Sequence, residues 1–315
     1  VALKVVALSG GVGGAKLCHG LSRALPTEDL TIIVNTGDDF EHLGLWICPD
    51  LDTVVYTLAG VANPETGWGR AEETWDFLRE LERLGGPSWF KIGDKDLALH
   101  HRRKQLLDCG MRLTEATAIL GSQLGLDVAV YPMSDDPVGT LVLTDEGSMP
   151  FQRYFVARAC DPEVRGFQFE GVEAAEPAPG TLPALEQASL VILCPSNPWV
   201  SLDPILSVPG LFQAMKDKVV VGVSPLIGGK AVKGPAAKMY QEMGVPPTAA
   251  SVAAHYRKLL TGFVIDTIDG ETEGKIREQG LKVCVTDTVM NSAHDRVRLA
   301  KDVLTFGTRI LEGNE

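Results

Sequence analysis

The sequence has no C-x-x-C pair, no apolar run near the roughly 18 residues that a membrane-spanning helix needs, and no internal repeat or low-complexity segment. Each absence removes a class. Without paired spacing, Cys18, Cys48, Cys109, Cys160, Cys194 and Cys284 read as reduced core thiols rather than as a disulfide frame or zinc ligands. Without a long apolar run or an apolar segment ahead of a cleavage site, the expectation is a cytoplasmic protein with no membrane association. Positive charge is also short: 29 Lys and Arg face 41 Asp and Glu, a formal net charge of −12. That balance excludes a protein whose main partner is nucleic acid or an anionic membrane. A small anionic ligand stays open, because backbone N–H groups or a bound metal can attract it locally. Three chemical signatures are missing too: a Walker A loop, a Gly-x-Ser-x-Gly elbow and a His-Glu-x-x-His helix. The last two absences lower the hydrolase readings.

What is present fits a folded α/β protein. The 315 residues, 45% hydrophobic and 22% charged, are enough for one large domain with an insertion. Leu3 to Leu8 is a β-prone run that breaks into Ser9-Gly10-Gly11-Val12-Gly13-Gly14 and continues as a helical pattern through Leu17, Leu21 and Leu25. Thr31 to Asn35 reads as a second strand, so the unit is a right-handed βαβ with parallel strands. Short apolar runs recur at 126–130, 190–193, 219–223, 262–266 and 281–285, the pattern of strands buried on both faces. The fold predicted is α/β, a doubly wound, mostly parallel Rossmann-like sheet forming a single domain over 1–315. A helical insertion at about 52–121, with patterns at Ala71–Leu84 and Asp96–Leu107, interrupts it. Alternation in Thr140–Thr144, a turn at Asp145–Gly147 and then Phe151–Phe155 predict a small antiparallel excursion, and the Pro/Gly-rich stretch Ala175–Pro183 reads as a linker.

Candidate chemistry lies at the strand ends. Gly10, Gly11, Gly13 and Gly14, followed by Lys16, sit between a strand and a helix, where a phosphate can approach the backbone; such glycines also serve simply to pack a helix on a sheet. Asn35-Thr36-Gly37-Asp38-Asp39 follows the second strand, and Cys48-Pro49-Asp50-Leu51-Asp52-Thr53 comes soon after. Singly, each Asp reads as a turn or helix cap. As a cluster, Asp38, Asp50 and Asp52 are candidate catalytic groups and Mg²⁺ ligands, since hard cations share oxygen donors with phosphates. Lys91-Ile92-Gly93-Asp94-Lys95-Asp96 follows Trp89-Phe90, with Asp94 placed to cap the next helix and His100 to Arg103 beyond it. Ser134-Asp135-Asp136, Pro195-Ser196-Asn197-Pro198 and Ser224-Pro225 each follow a predicted strand and should rim the same crevice. A nicotinamide-dependent oxidoreductase is disfavoured, because the full Gly-x-Gly-x-x-Gly spacing is absent and Asn35 stands where an acid would close the second strand.

Taken in order, the Gly10–Lys16, Asn35–Asp39, Cys48–Thr53, Lys91–Asp96, Pro195–Pro198 and Ser224-Pro225 blocks resemble the 2-phospho-L-lactate transferases of coenzyme F420 biosynthesis. The resemblance spans nearly the whole chain. It implies a Mg²⁺-dependent transferase that moves a phosphorylated three-carbon acid (phospholactyl, phosphoenolpyruvyl or phosphoglyceryl) from its guanosine diphosphate ester to the ribityl hydroxyl of the deazaflavin Fo, releasing GMP. It further implies that Asp52 and Lys91, with Trp89 beside them, bind Fo, and that Asp38 with a neighbouring acid, Asp52, holds Mg²⁺. Gly10, Gly11, Gly13, Gly14, Lys16, Ser196, Asn197 and Ser224 would hold the nucleotide, and the helical insertion would cover the deazaflavin side. Asp50 or Asp52 would stand nearest the attacking hydroxyl. The alternative is a regulatory relative that binds a nucleotide sugar without transfer, in which the Lys91–Asp96 and Cys48–Thr53 blocks are not expected. A homodimer is the base-rate expectation.

Overall fold

The structure, a computed structural model, describes residues 3–314. Seven strands form the central sheet: β1 (Val5–Ser9), β2 (Leu30–Val34), β3 (Ala129–Pro132), β4 (Leu190–Leu193), β5 (Val219–Val223), β6 (Gly262–Asp266) and β7 (Lys282–Thr286). They lie in the order β7-β6-β5-β4-β1-β2-β3, and every pairing is parallel. Winding reverses at β1, which has β2 on one side and β4 on the other, so a crevice opens beyond the carboxyl ends of these strands.

Alternation within each strand explains the two-sided burial. Val6 and Leu8 of β1, Val191 and Leu193 of β4, and Phe263 and Ile265 of β6 enter one core. Val5, Ala7, Leu190, Ile192 and Val264 enter the other. Successive side chains of a strand point to opposite faces, so a strand covered on both sides must be apolar throughout. The second face is covered by helix α1 (Gly11–Ala24), α2 (Pro49–Leu58), α4 (Asp94–Asp108), α5 (Leu113–Gln123) and the C-terminal helix (Ala293–Leu311), through Leu17, Val54, Leu106, Leu120 and Val303 among others. Between α2 and α4 lies the short α3 (Asp76–Arg83).

Several expectations shift. The strand expected at 126–130 lies at 129–132, because Gly125 turns the chain at φ +82° and Leu126 packs back toward Gly121 of α5. The helical stretch expected from Asp52 starts at Pro49, a residue whose fixed φ suits a first helical position. The pattern at 71–84 yields a helix only over α3. An unforeseen hairpin pairs Phe40–His42 with Leu45–Ile47. The antiparallel excursion is built from Gly139–Thr144, Gly147–Pro150 and Val164–Glu170. Phe151–Phe155 is not its partner strand: the segment coils into a helical turn that buries Phe151 and Tyr154 together, three residues apart. The stretch 175–183 runs directly into a helix at Thr181–Gln187. No disulfide joins the described cysteines, but only Cys18, Cys48 and Cys194 are core residues, and Cys109 is exposed. Among the described residues no helix is long and apolar enough to cross a membrane.

Candidate active site

A cavity of about 830 Å³ opens at the crevice and is lined by Gly10, Gly11, Gly13, Lys16, Asp38, Asp50, Asp52, Trp89, Lys91, Ser196, Asn197 and Ser224. Of the residues assigned a catalytic, metal, nucleotide or Fo role, the structure thus brings together all but Gly14. That glycine faces inward, where a side chain would meet the hydroxyls of Ser9 and Ser196. Ser134-Asp135-Asp136 does not join this rim. Asp135 and Asp136 line a separate cavity of about 630 Å³ with Thr36 and Asp39, on the other side of the Asn35–Asp39 loop.

The glycine run is not a loop: α1 begins at Gly11, so Gly11 to Gly14 form its first turn. A helix start leaves backbone N–H groups without intrahelical acceptors, and its dipole favours negative charge. Asp50 Oδ1 accepts the Gly11 N–H at 2.7 Å, and Ser196 Oγ accepts the Gly10 N–H at 3.1 Å. Gly13 has to be glycine for another reason, because a Cβ there would strike the Pro195 carbonyl. Ser196 also donates to the Gly10 carbonyl, Asn197 Oδ1 accepts from the Trp199 N–H, and Ser224 Oγ bonds both ways with Leu226. These side chains hold the loops that shape the nucleotide side of the cavity.

Asp38 and Asp50 come together from different segments. Asn35 Nδ2 reaches Asp50 Oδ2 at 2.9 Å and Asp38 Oδ1 at 3.3 Å, while Gln152 Nε2 donates to Asp38 Oδ2 at 2.8 Å. Asp38 is 5% exposed and Asp50 8%. Burial, then the charges of Asp50 and Asp39, push the Asp38 carboxyl well above the usual range. Burial likewise raises Asp50 to about 6, against the hydrogen bonds from Asn35, Gly11 and Ser201. Amides, a backbone N–H and a hydroxyl satisfy these oxygens, and none of them carries positive charge. Asp50 is therefore both a helix cap and a member of an acid pair.

Asp52, one helical position beyond Leu51, has the opposite environment. Arg103 grips its carboxylate with both terminal nitrogens, and the pair is buried. Burial opposes the charge on Arg103, but Asp52 and Cys48 hold the guanidinium pKa above its ordinary value. His100 Nδ1 lies 3.2 Å from Arg103, His100 Nε2 lies 3.3 Å from Asp96 Oδ1, and Tyr56 donates to Asp96 at 2.6 Å. Helical periodicity turns His100 and Arg103 inward while His101 and Arg102 face solvent. Asp94 caps a different helix from the one expected: its carboxylate accepts the Asp76 and Phe77 N–H groups of α3, while Glu73 accepts those of Lys95 and Asp96 in α4.

Lys91 is exposed, on a turn held by an aromatic cluster. Phe40 meets Phe90 edge-on at 4.9 Å and His42 meets Trp89 at 5.2 Å. Sequence reasoning missed the rest of the wall: Tyr56, Trp68, Phe151, Gln152, Phe155, Lys233 and the 288–291 loop. Only the loop after β7 carried a usable signal, its place at a strand's carboxyl end. Among the described residues no three His, Cys, Asp or Glu side chains form a ready-made metal cage.

Residues 5–304 match the 2-phospho-L-lactate transferase CofD family. The phosphoenolpyruvate transferase of Streptomyces coelicolor is 40% identical over 98% of this chain and 100% of its own length. The 2-phospho-L-lactate transferase of Methanopyrus kandleri is 42% identical over 96% of this chain and 97% of its own. A crystal structure of protein BH3568 from Bacillus halodurans superposes with a TM-score of 0.64 at 15% identity, covering 96% of this chain and 100% of that one, which shows the shared fold. With a match over nearly its whole length, the chain belongs to the 2-phospho-L-lactate transferase family of coenzyme F420 biosynthesis and is a transferase enzyme.

Proposed function

We propose that the enzyme transfers a phosphorylated three-carbon acid from its guanosine diphosphate ester to the ribityl hydroxyl of Fo. The hydroxyl oxygen bonds to the phosphorus that carries the acid, the P–O bond to GMP breaks, and GMP leaves as the hydroxyl proton departs. The observation that carries this reading is the buried pair Asp38 and Asp50, bridged by Asn35 beside the N-terminus of α1 in one cavity with Trp89 and Lys91. Helix dipole and backbone N–H groups favour the diphosphate end of the donor. Trp89 offers an aromatic face to the deazaflavin ring, Lys91 a cation at its edge, and Asp52, fixed by Arg103, an acceptor that orients the hydroxyl. Catalysis here is positioning and charge stabilisation.

The donor set suits Mg²⁺. Two buried carboxylates with no cationic partner fit a small hard cation that completes its shell with phosphate oxygens and water. Bound there, it would supply charge neutralisation on the donor phosphates. Asp50 takes this role in place of Asp52, whose charge Arg103 already meets. The reading includes a homodimer in the cytoplasm, which sedimentation of the purified protein and imaging of the tagged chain would check.

The test is an assay of purified protein with Mg²⁺, Fo and the guanosine diphosphate ester of each candidate acid, with products identified by mass. A deazaflavin phosphodiester formed with GMP supports the reading and ranks the acids. Absence of product from every donor, with tight binding of a uridine diphosphate sugar, would replace it with a regulatory role.

A further inference from the structure

We propose that Lys233 is the second phosphate-binding cation of the site, and that a diphosphate draws its ammonium off a backbone latch. The inference rests on the nucleotide reading above. Three ammonium groups line the cavity, on Lys16, Lys91 and Lys233. Lys91 belongs to the Trp89 turn, whereas Lys16 rises from α1 itself. Burial, Arg296 and then Lys233 lower the pKa of Lys16, so the two ammoniums feel one another. In a chain of net charge −12, neither has a carboxylate within ion-pair distance among the described residues. Lys16 Nζ donates to the Met290 carbonyl at 2.8 Å, and Lys233 Nζ to the carbonyls of Thr66 and Glu65. Two cations held only by neutral carbonyls beside a helix N-terminus are a place for an anion with more than one charge.

The latch has a structural consequence. Thr66 and Gly67 belong to a tight loop closed by Asn63, whose Oδ1 accepts the Glu65 N–H at 2.9 Å and whose carbonyl accepts the Gly67 N–H at 2.9 Å. Gly67 has φ +76°, and a Cβ there would stand 2.6 Å from Val12 Cγ1 and 3.3 Å from Lys233 Nζ. The loop therefore lies against the first turn of α1, with Lys233 tying it down. Lys233 is exposed, on an irregular stretch ahead of the helix at Ala236–Glu242, so its side chain is free to swing. An ionised phosphate oxygen adds the attraction of opposite charges to the hydrogen bond that a neutral carbonyl offers the ammonium. Anion and loop thus compete for one ammonium, and occupancy of the helix N-terminus releases residues 63–69.

Calorimetric titration of the parent, Lys233→Met and Lys233→Arg with GDP and with inorganic pyrophosphate, joined to hydrogen exchange over 63–69, tests this. Lys233→Met should weaken both ligands by about 10- to 100-fold, and Lys233→Arg should recover most of the loss. Exchange over 63–69 should rise in the parent when GDP binds, and should already be high in Lys233→Met without ligand. A parent that binds GDP, with a Lys233→Met variant that binds it equally well, overturns the latch alone. So does a loop whose exchange responds to neither change. A parent that binds neither GDP nor pyrophosphate overturns the nucleotide reading and this inference with it.

Discussion

Asp50 and Asp52 stand two residues apart in α2, both buried, and they face different worlds. Asp50 looks toward α1 and Asp38, where its partners are an amide, a backbone N–H and a hydroxyl. Asp52 looks toward α4, where a buried guanidinium matches its charge. The first region holds negative charge without a counterion and the second is neutralised in advance. A protein tolerates an uncompensated buried pair of acids only at a cost, so the first region is where a cation or a transition state is expected to settle the charge. The second region is scaffold for whatever Asp52 touches.

The sharpest way to break that contrast is to remove the built-in cation. Arg103→Met should cost about 3–5 kcal/mol of stability in a denaturant titration, because it strands Asp52 as a buried charge. Adding Asp52→Asn to that variant should restore much of the loss. Equal instability of the single and double variants would mean that Arg103 acts through packing and that the two regions do not differ in charge compensation. On the other side, Asp38→Asn should leave the fold intact and lower Mg²⁺-dependent turnover by roughly 10²–10³-fold, the scale of losing one group that stabilises transition-state charge. Unchanged turnover would remove Asp38 from the metal site.

The pH dependence sharpens the comparison further. Asp50 has a folded pKa of about 6 against an ordinary 3.8, and Asp38 is raised as well. A raised carboxyl pKa favours the folded state below the unfolded value, and this contribution is lost as pH climbs through the folded value. Between about pH 4 and pH 6 Asp50 should therefore withdraw about 3 kcal/mol from the metal-free protein, read as the difference between the parent and Asp50→Asn, because burial lowers His19 to about 4 and moves stability the other way over the same range. Asp96 and Asp266 are shifted down, so their contributions change below pH 4, outside this window. Mg²⁺ should raise the melting temperature more at pH 8 than at pH 5. An equal rise at both would show that it does not bind these acids.

Legibility followed the same divide between local and distant causes. The runs at 190–193, 219–223 and 262–266 coincide with β4, β5 and β6 end to end, because a strand buried on both faces writes itself as unbroken apolar sequence. The position of the acids just beyond β2 was legible too, since that is where an open sheet places its ligands. Their fates were not. Gln152 is 114 residues from Asp38, and Arg103 is 51 from Asp52, so no local pattern says which acid meets an amide and which a guanidinium. The hairpin at Phe40–Ile47 was hidden for another reason: strands of three residues are too short to show a period. Phe151–Phe155 follows the alternating 140–144 run and reads as part of its excursion, yet its own aromatics stand three and four residues apart, so it coils and buries Phe151 and Tyr154 on one helical face.

The smallest effect separates a residue that binds from one that only shapes the wall. Lys91 projects from a turn whose backbone is held by neighbours on both sides, Phe90 against Phe40 and Trp89 against His42, with Ile92 buried behind it. Truncating an exposed side chain on such a platform should leave stability within about 0.5 kcal/mol. If Lys91 meets Fo, Lys91→Ala should raise the Fo dissociation constant about tenfold, near 1.4 kcal/mol, with no change in melting temperature. Trp89→Ala should weaken Fo binding and lower the melting temperature, because the indole is half-buried in the cluster that supports the turn. Fo affinity unaffected in Lys91→Ala but reduced in Trp89→Ala would assign recognition to the aromatic face and leave Lys91 as part of the rim.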